Sequence, residues 1–295
     1  QGGWSRRTFN AIKRRGVDSG RLSDEAALVA DMTESGNNPE ETRAQLSEFL
    51  RVILEESEKQ YGKAQDTLTG LTGTNAKKAH DRGVLYHSRF THVAIVASLS
   101  ICESNASMGR VVACPTAGAS GVIPGIFYAL SKENAFPFAH LLPGFILASA
   151  IGNVIAAKAT LSGAAGGCQA EIGSAAAMGA GALAYLSGGD AETVDSAAAL
   201  VLKSLLGLVC DPVGGFVEAP CVKRNAIAVT AAISAAELAL SGVTSVIPFD
   251  ETVDAMRRVG QTLPMELRET GLGGLAATRT AKQLVDRIQT RFQKP

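Results

Sequence analysis

Charge is missing from the middle of this chain, and that limits the folds open to it. Of the 56 Asp, Glu, Lys and Arg side chains, 27 fall in residues 1–89 and 17 in residues 223–295. The 133 residues between, 90–222, hold only 12. So long a stretch with so few charges is mostly interior, because an unpaired buried charge is costly. The few that remain there are expected to be paired or used. Lys+Arg and Asp+Glu balance at 28 each, which leaves no basic excess to hold nucleic acid or an anionic membrane surface. Hydrophobic residues make up 46% of the 295, too many for a disordered chain, and aromatics only 5%. The core must therefore be built from small aliphatic side chains, in one large domain or two medium ones.

Two uncharged runs are long enough to be tested as membrane spans, 134–157 and 172–189. The first contains Pro137, His140, Pro143 and Asn153, and the second is dominated by Ala and Gly. Both are too weakly apolar for insertion, and buried helices packed closely through small residues explain them better. At the N-terminus Arg6, Arg7, Lys13, Arg14 and Arg15 are followed by no apolar segment of a secretory signal. The chain begins with Gln, so a processed or trimmed start is expected, and the default location is the cytoplasm.

Asn38-Pro39-Glu40-Glu41 reads as a helix start: a capping side chain, Pro in the first turn, then acids. Leu46, Phe49, Leu50, Ile53 and Leu54 continue it at helical spacing to about Gln60. Its polar face, with Glu48, Arg51, Glu55 and Glu58, is a solvated one. A turn-rich stretch follows over 69–75. Helices are predicted over 84–109, 126–160, 193–209, 225–241, 250–260 and 279–292. In 156–199, 16 of 44 residues are Ala, the best helix former. No clear period-2 strand and no internal repeat is present. The expectation is a mainly α, single-domain protein of buried, small-residue-rich helices joined by Gly-rich loops, with 1–68 as an N-terminal helical segment packed on a body of 69–295.

The five cysteines, Cys102, Cys114, Cys168, Cys210 and Cys221, are an odd number without C-x-x-C spacing, which argues against a disulfide framework. Their plain reading is as small buried hydrophobes. Three of them sit in or beside Gly- or Pro-rich loops, where backbone can approach a ligand closely. Cys168 lies in Ser162-Gly163-Ala164-Ala165-Gly166-Gly167-Cys168-Gln169-Ala170-Glu171. Cys210 lies in Leu208-Val209-Cys210-Asp211-Pro212-Val213-Gly214-Gly215, and Cys221 in Ala219-Pro220-Cys221-Val222-Lys223-Arg224-Asn225-Ala226. Three thiolates on loops could hold a metal centre with one position open.

These three segments, with Cys114-Pro115-Thr116-Ala117-Gly118-Ala119-Ser120-Gly121 and Glu269-Thr270-Gly271-Leu272-Gly273-Gly274-Leu275, resemble the α chain of the iron–sulfur-dependent L-serine dehydratases. The resemblance runs from about Thr69 to the C-terminus. It implies a [4Fe–4S] cluster on Cys168, Cys210 and Cys221, with the fourth iron free to act as a Lewis acid on the hydroxyl and carboxylate of L-serine. Full thiolate ligation would instead suit electron transfer. Cys102 and Cys114 lie outside the implied ligand set and keep the core reading, although either could complete a four-Cys set.

The loop 115–121 is similar to the family's substrate loop, which points to Thr116 and Ser120, with Asn105 nearby, as substrate contacts. Lys223, Arg224 and Asn225 follow a ligand directly; for Lys223 and Arg224 a salt bridge or helix start competes with a role near substrate. Glu171 either orients a group beside the ligands or pairs with a cation. The residues name no α-proton base: His80, His87, His92 and His140 are the only imidazoles. Single-chain family members carry a further domain with a Ser-Ser-His-Thr segment, absent here, so the resemblance implies a separate β chain that completes the site. A cysteine desulfidase on the same scaffold, a pyridoxal-phosphate dehydratase and a non-catalytic assembly subunit with structural zinc are the rival readings. The helical pattern and the lack of a recognisable Schiff-base Lys motif count against the second.

Overall fold

The computed structural model describes residues 8–16 and 38–292. The expectations for Arg6 and Arg7, and for most of the stretch before Asn38, lie outside the described residues. The helices are α1 (Phe9–Gly16), α2 (Pro39–Gln60), α3 (Asn75–Arg82), α4 (Arg89–Ala106), α5 (Val122–Glu133) and α6 (Phe138–Lys158). After the single turn α7 (Gly163–Gly166) come α8 (Ser174–Leu186), α9 (Ala191–Ser204), α10 (Cys221–Leu240), α11 (Phe249–Thr262) and α12 (Arg279–Phe292). No strand forms among the described residues; one isolated bridge joins Cys210 to Arg268. The mainly α reading holds.

Helix α8 occupies the centre, packed by α5, α6, α9 and α10. Apart from Tyr185 all its residues are buried, as expected of a helix apolar on every face. Its small residues set the close packing. A Cβ on Gly179 would stand 2.5 Å from Ile126 Cδ1, so α5 can approach only because this position is bare. The uncharged run 134–157 is largely α6, long and apolar enough by composition to cross a membrane. Here it buries Leu141, Phe145, Ile151 and Ile155 inside the protein, against α8.

Helix α2 begins as read: Asn38 Oδ1 accepts from Glu41 N at 2.8 Å and the Glu41 carboxylate accepts from Asn38 N at 3.2 Å, a reciprocal cap. Phe9, Ile12, Leu50 and Ile53 join the same hydrophobic cluster as α5, α6 and α8. Helix α1 is pinned through Asp250, whose carboxylate accepts from Phe9 N and Asn10 N at 3.1 Å each, and the Phe9 ring meets Phe249 edge-on at 5.8 Å.

Several helix boundaries differ from the periodicity: α9 ends at Ser204 rather than 209, and α10 begins at Cys221 rather than 225. The predicted helix 126–160 is two helices, because the chain turns at Ala135 (φ 52°) and Pro137 restarts it. The predicted 84–109 begins only at Arg89, where the Ser88 hydroxyl caps Thr91 N at 3.1 Å. The turn-rich stretch before it ends in the unpredicted α3. That short helix is held by the fully buried carboxylate of Glu103, which accepts from Gly73 N (2.6 Å), Asn75 N (2.8 Å) and Ala76 N (3.2 Å). Glu218, also buried, anchors the same stretch through Thr69 N (2.8 Å) and the Thr72 hydroxyl (2.9 Å).

Candidate metal centre

The three motif cysteines are brought to one region by three differently built loops. Cys168 follows α7 and Gly167, whose φ of 77° and 2.8 Å approach to Leu208 O exclude any Cβ. Beyond it a π-helical turn, Gln169–Gly173, leads into α8. Such turns are rare and favour functional sites. Cys210 lies in an extended stretch tied to the C-terminal motif: Cys210 N donates to Leu267 O at 2.9 Å and Glu269 N to Cys210 O at 2.7 Å. Cys221 is the first residue of α10.

Arg224, one turn into α10, ties that helix to the Cys210 loop. Its guanidinium donates to Val209 O at 2.9 Å and pairs with Asp211 at 2.8 Å, so it grips the residues on both sides of Cys210. The other oxygen of Asp211 accepts from Leu275 N at 2.7 Å. The salt-bridge alternative for Arg224 is therefore what the structure contains.

The Sγ atoms of Cys168 and Cys210 and a carboxylate oxygen of Glu171 all lie within 4.8 Å of one another. Cys210 Sγ stands 4.0 Å from Glu171 Oε2. Cys221 is outside that tight group but buried beside it, and the charge of Cys168 reaches it. The hydrogen bond from Cys210, helped by Arg224, pulls the Cys168 thiol below its ordinary value. Cys210 moves up, because it supplies that bond and is buried. Burial and the Cys168 charge push Cys221 up to about 12. Burial raises Glu171 and the charge of Glu269 adds to this, against the lowering effect of a hydrogen bond from Thr116.

These residues fit a metal–sulfur group. The donors are soft and buried, and a guanidinium offsets thiolate charge. The space beside them is held open by a glycine: a Cβ on Gly163 would stand 2.7 Å from Glu171 Oε2 and 3.0 Å from Cys210 Sγ. Thiols must lose protons to bind metal, so loading such a site releases them.

The loop 115–121 reaches this centre through Thr116, whose hydroxyl donates to Glu171 Oε1 at 2.8 Å. Asn105 Nδ2 donates to Ala117 O at 3.2 Å. Asn225 is wholly buried: its Oδ1 accepts from Gly121 N (3.0 Å) and its Nδ2 donates to Gly118 O (2.8 Å) and Cys221 O (3.0 Å). Both asparagines thus set the loop's backbone. Ser120 is fully buried with no hydrogen-bond partner for its hydroxyl, and Lys223 is exposed on the first turn of α10. Cys102 and Cys114 are buried in hydrophobic clusters, as the core reading held, and burial pushes Cys114 up to about 12.

No imidazole joins the thiol–carboxylate group among the described residues. His80 and His92 line a separate cleft of about 390 Å³ with Tyr61, Arg89 and Tyr128. Sequence reasoning missed Asp211, which braces the Cys210 loop, Glu103 and Glu218, which anchor the stretch 69–76, and Glu269, whose charge reaches Glu171. The signal for the first three was present: each is one of the 12 charges in residues 90–222.

Fold and site together define a helical protein with a buried cysteine–carboxylate centre assembled from Gly- and Pro-rich loops. Residues 19–276 match the family described as serine dehydratase alpha chain. The chain belongs to that family. Among its relatives, the "Probable L-serine dehydratase, alpha chain" of Bacillus subtilis (strain 168) is 49% identical over 224 residues, 75% of this chain and 74% of that protein. The L-serine dehydratase alpha chain of Peptoniphilus asaccharolyticus is 40% identical over 283 residues, 95% and 96% of the two chains. L-serine dehydratase 1 of Escherichia coli (strain K12) is 41% identical over 182 residues, 61% of this chain but 40% of that longer protein.

Proposed function

We propose that this chain is the cluster-bearing α subunit of an L-serine ammonia-lyase, which converts L-serine to pyruvate and ammonia. The observation that carries the reading is the close grouping of Cys168, Cys210 and Glu171 in a member of this family, with Cys221 buried near Cys168 and Arg224 beside Cys168 and Asp211. Those three cysteines would hold a [4Fe–4S] cluster. When bound, such a cluster with one iron free of thiolate supplies a Lewis acid for the serine hydroxyl and carboxylate. A thiolate-ligated cluster with one iron open to substrate would suit the reducing cytoplasm.

The chain's own residues shape the rest of the site. The Thr116 hydroxyl donates its proton to Glu171 and accepts from Ala119 N at 3.3 Å, which leaves one acceptor position on its oxygen for the substrate ammonium. Asn105 and Asn225 fix the backbone of the loop that carries it. Ser120 and Lys223 are the further substrate contacts, and Arg224 offsets negative charge on the ligand thiols. Residues 69–295 form the catalytic body, on which the described helices α1 and α2 pack.

Loss of water also needs a base for the α-proton, and a separate β chain supplies it. The released aminoacrylate tautomerises and hydrolyses to pyruvate and ammonia in water. The test is anaerobic reconstitution with iron and sulfide, followed by pyruvate assay with L-serine, with and without a candidate β chain. Turnover only with both chains supports the reading. Sulfide release from L-cysteine in place of pyruvate from L-serine would support a desulfidase and overturn it.

A further inference from the structure

One buried side chain joins the loops of two of the proposed ligands, and no charge or thiol advertises it. Gln169 follows Cys168 directly and is fully buried. Its backbone N donates to Leu208 O at 2.9 Å, and its side-chain Oε1 accepts from Gly207 N at 2.9 Å. A single residue thus holds two consecutive residues of the segment that leads into Cys210, through the N–H of one and the C=O of the next. Its Nε2 donates twice, to Gly166 O at 2.9 Å on the turn before Cys168 and to Met256 O at 3.1 Å in α11.

The amide uses both its donors and one acceptor position, all inside the protein. Its orientation is therefore fixed. Turning it over would set NH2 against the Gly207 N–H and the oxygen against two carbonyls, three repulsive contacts in a fully buried place. The third helix at this junction, α11, comes close only because residue 260 is glycine: a Cβ there would stand 3.0 Å from Gly166 Cα and 3.2 Å from Gln169 Nε2. Helix α11 also begins at Phe249 and Asp250, the anchor of α1, so the same helix carries both attachments.

We infer that Gln169 is a positioning residue for the metal centre, its side-chain amide setting the spacing of the Cys168 and Cys210 loops through Gly207, Gly166 and Met256. The inference rests on the reading of Cys168 and Cys210 as ligands. Groups that orient metal ligands without touching the metal are commonly worth 10–100-fold in metal affinity. Methionine at this position would keep length and burial and lose all three side-chain hydrogen bonds. Glutamic acid would keep the acceptor for Gly207 N–H and, when protonated, one donor.

The experiment uses the full chain, loaded anaerobically with iron and sulfide. Iron release to a ferrous chelator is followed by absorbance for wild type, Gln169→Met and Gln169→Glu, with Ile53→Ala as a control. Ile53 is buried in α2, whose main packing partners are α4, α5 and α6 rather than the loops of the centre, so its truncation is a test of stability loss. The expected order of release is Gln169→Met fastest, at least 10-fold above wild type, then Gln169→Glu, with Ile53→Ala at the wild-type rate. Should Gln169→Met fail to fold, Gln169→Glu against Ile53→Ala carries the same comparison. Wild-type rates in the Gln169 variants, or equal acceleration by Ile53→Ala, would overturn the inference. A wild-type chain that takes up no iron would instead overturn the metal reading on which it rests.

Discussion

Replacing Gly163 by Ala separates the stability of the fold from the capacity of the site. Gly163 is buried in the single turn α7, and its backbone does not need the left-handed conformation, so alanine fits the chain. In a helical turn the exchange gains up to about 1 kcal/mol, since Gly is the poorer helix former. Against this, the new methyl would meet Glu171 Oε2 at 2.7 Å and Cys210 Sγ at 3.0 Å. An ordinary contact is about 3.5 Å, so the carboxylate must retreat by roughly 0.8 Å. Overpacking of this size costs about 1–3 kcal/mol, and less where the displaced atom ends a side chain. The net change is then between about +1 and −3 kcal/mol, a shift of at most roughly ten degrees in Tm. The space between the thiols and the carboxylate, however, is filled. Gly163→Ala should unfold cooperatively near the wild-type temperature yet bind iron at least 10-fold more weakly, read by anaerobic titration of the visible absorbance. Gly144→Ala is the control. It lies in α6, and its Cβ would press on Leu186 at 2.6 Å, in no contact with the loops of the centre. Wild-type iron affinity in Gly163→Ala, or an equal loss in Gly144→Ala, would refute the reasoning.

The cysteines should divide cleanly. Cys168→Ala, Cys210→Ala and Cys221→Ala each lose the iron-dependent absorbance, whereas Cys102→Ala keeps it; retention by any of the first three breaks the ligand assignment. Asp211→Ala leaves Arg224 unpaired and Leu275 N–H without its acceptor, which should cost about 3 kcal/mol in urea unfolding. An unchanged urea midpoint would contradict the brace described for the Cys210 loop. Burial and the nearby charges of His80 and His87 lower the His92 pKa, so the unfolded chain takes up that proton first as pH falls. Stability is then full above the ordinary value of 6.5 and declines as pH drops through and below it. His92→Asn should flatten this acid limb in denaturation at pH 5–7.5, and an unaltered slope would show that His92 does not set it.

Much of the architecture was legible because burial leaves a mark on composition. The charge gap over 90–222 marked the interior, and the Asn38 cap with Pro39 fixed the start of α2. The loops of Cys168, Cys210 and Cys221 were legible as Gly- and Pro-rich punctuation. What stayed hidden depends on partners far apart in the chain. Helix α3 exists because Glu103 reaches back 28 residues to Asn75, and α1 docks because Asp250 caps Phe9 from 241 positions away. No local period records such contacts. The break at 134–137 was missed for another reason: the apolar run continues across it, and only Ala135 and Pro137 interrupt the backbone. Gln169 was invisible because its role rests on which carbonyls surround it.

The central claim is that this chain, by itself, holds an iron–sulfur cluster on Cys168, Cys210 and Cys221. The most direct measurement is iron and acid-labile sulfide analysis of the anaerobically purified full chain, with its visible spectrum. The account predicts about four irons and four sulfides per chain and a brown, thiolate-type absorbance. A well-folded chain that is colourless under these conditions, or that carries zinc alone, would contradict it.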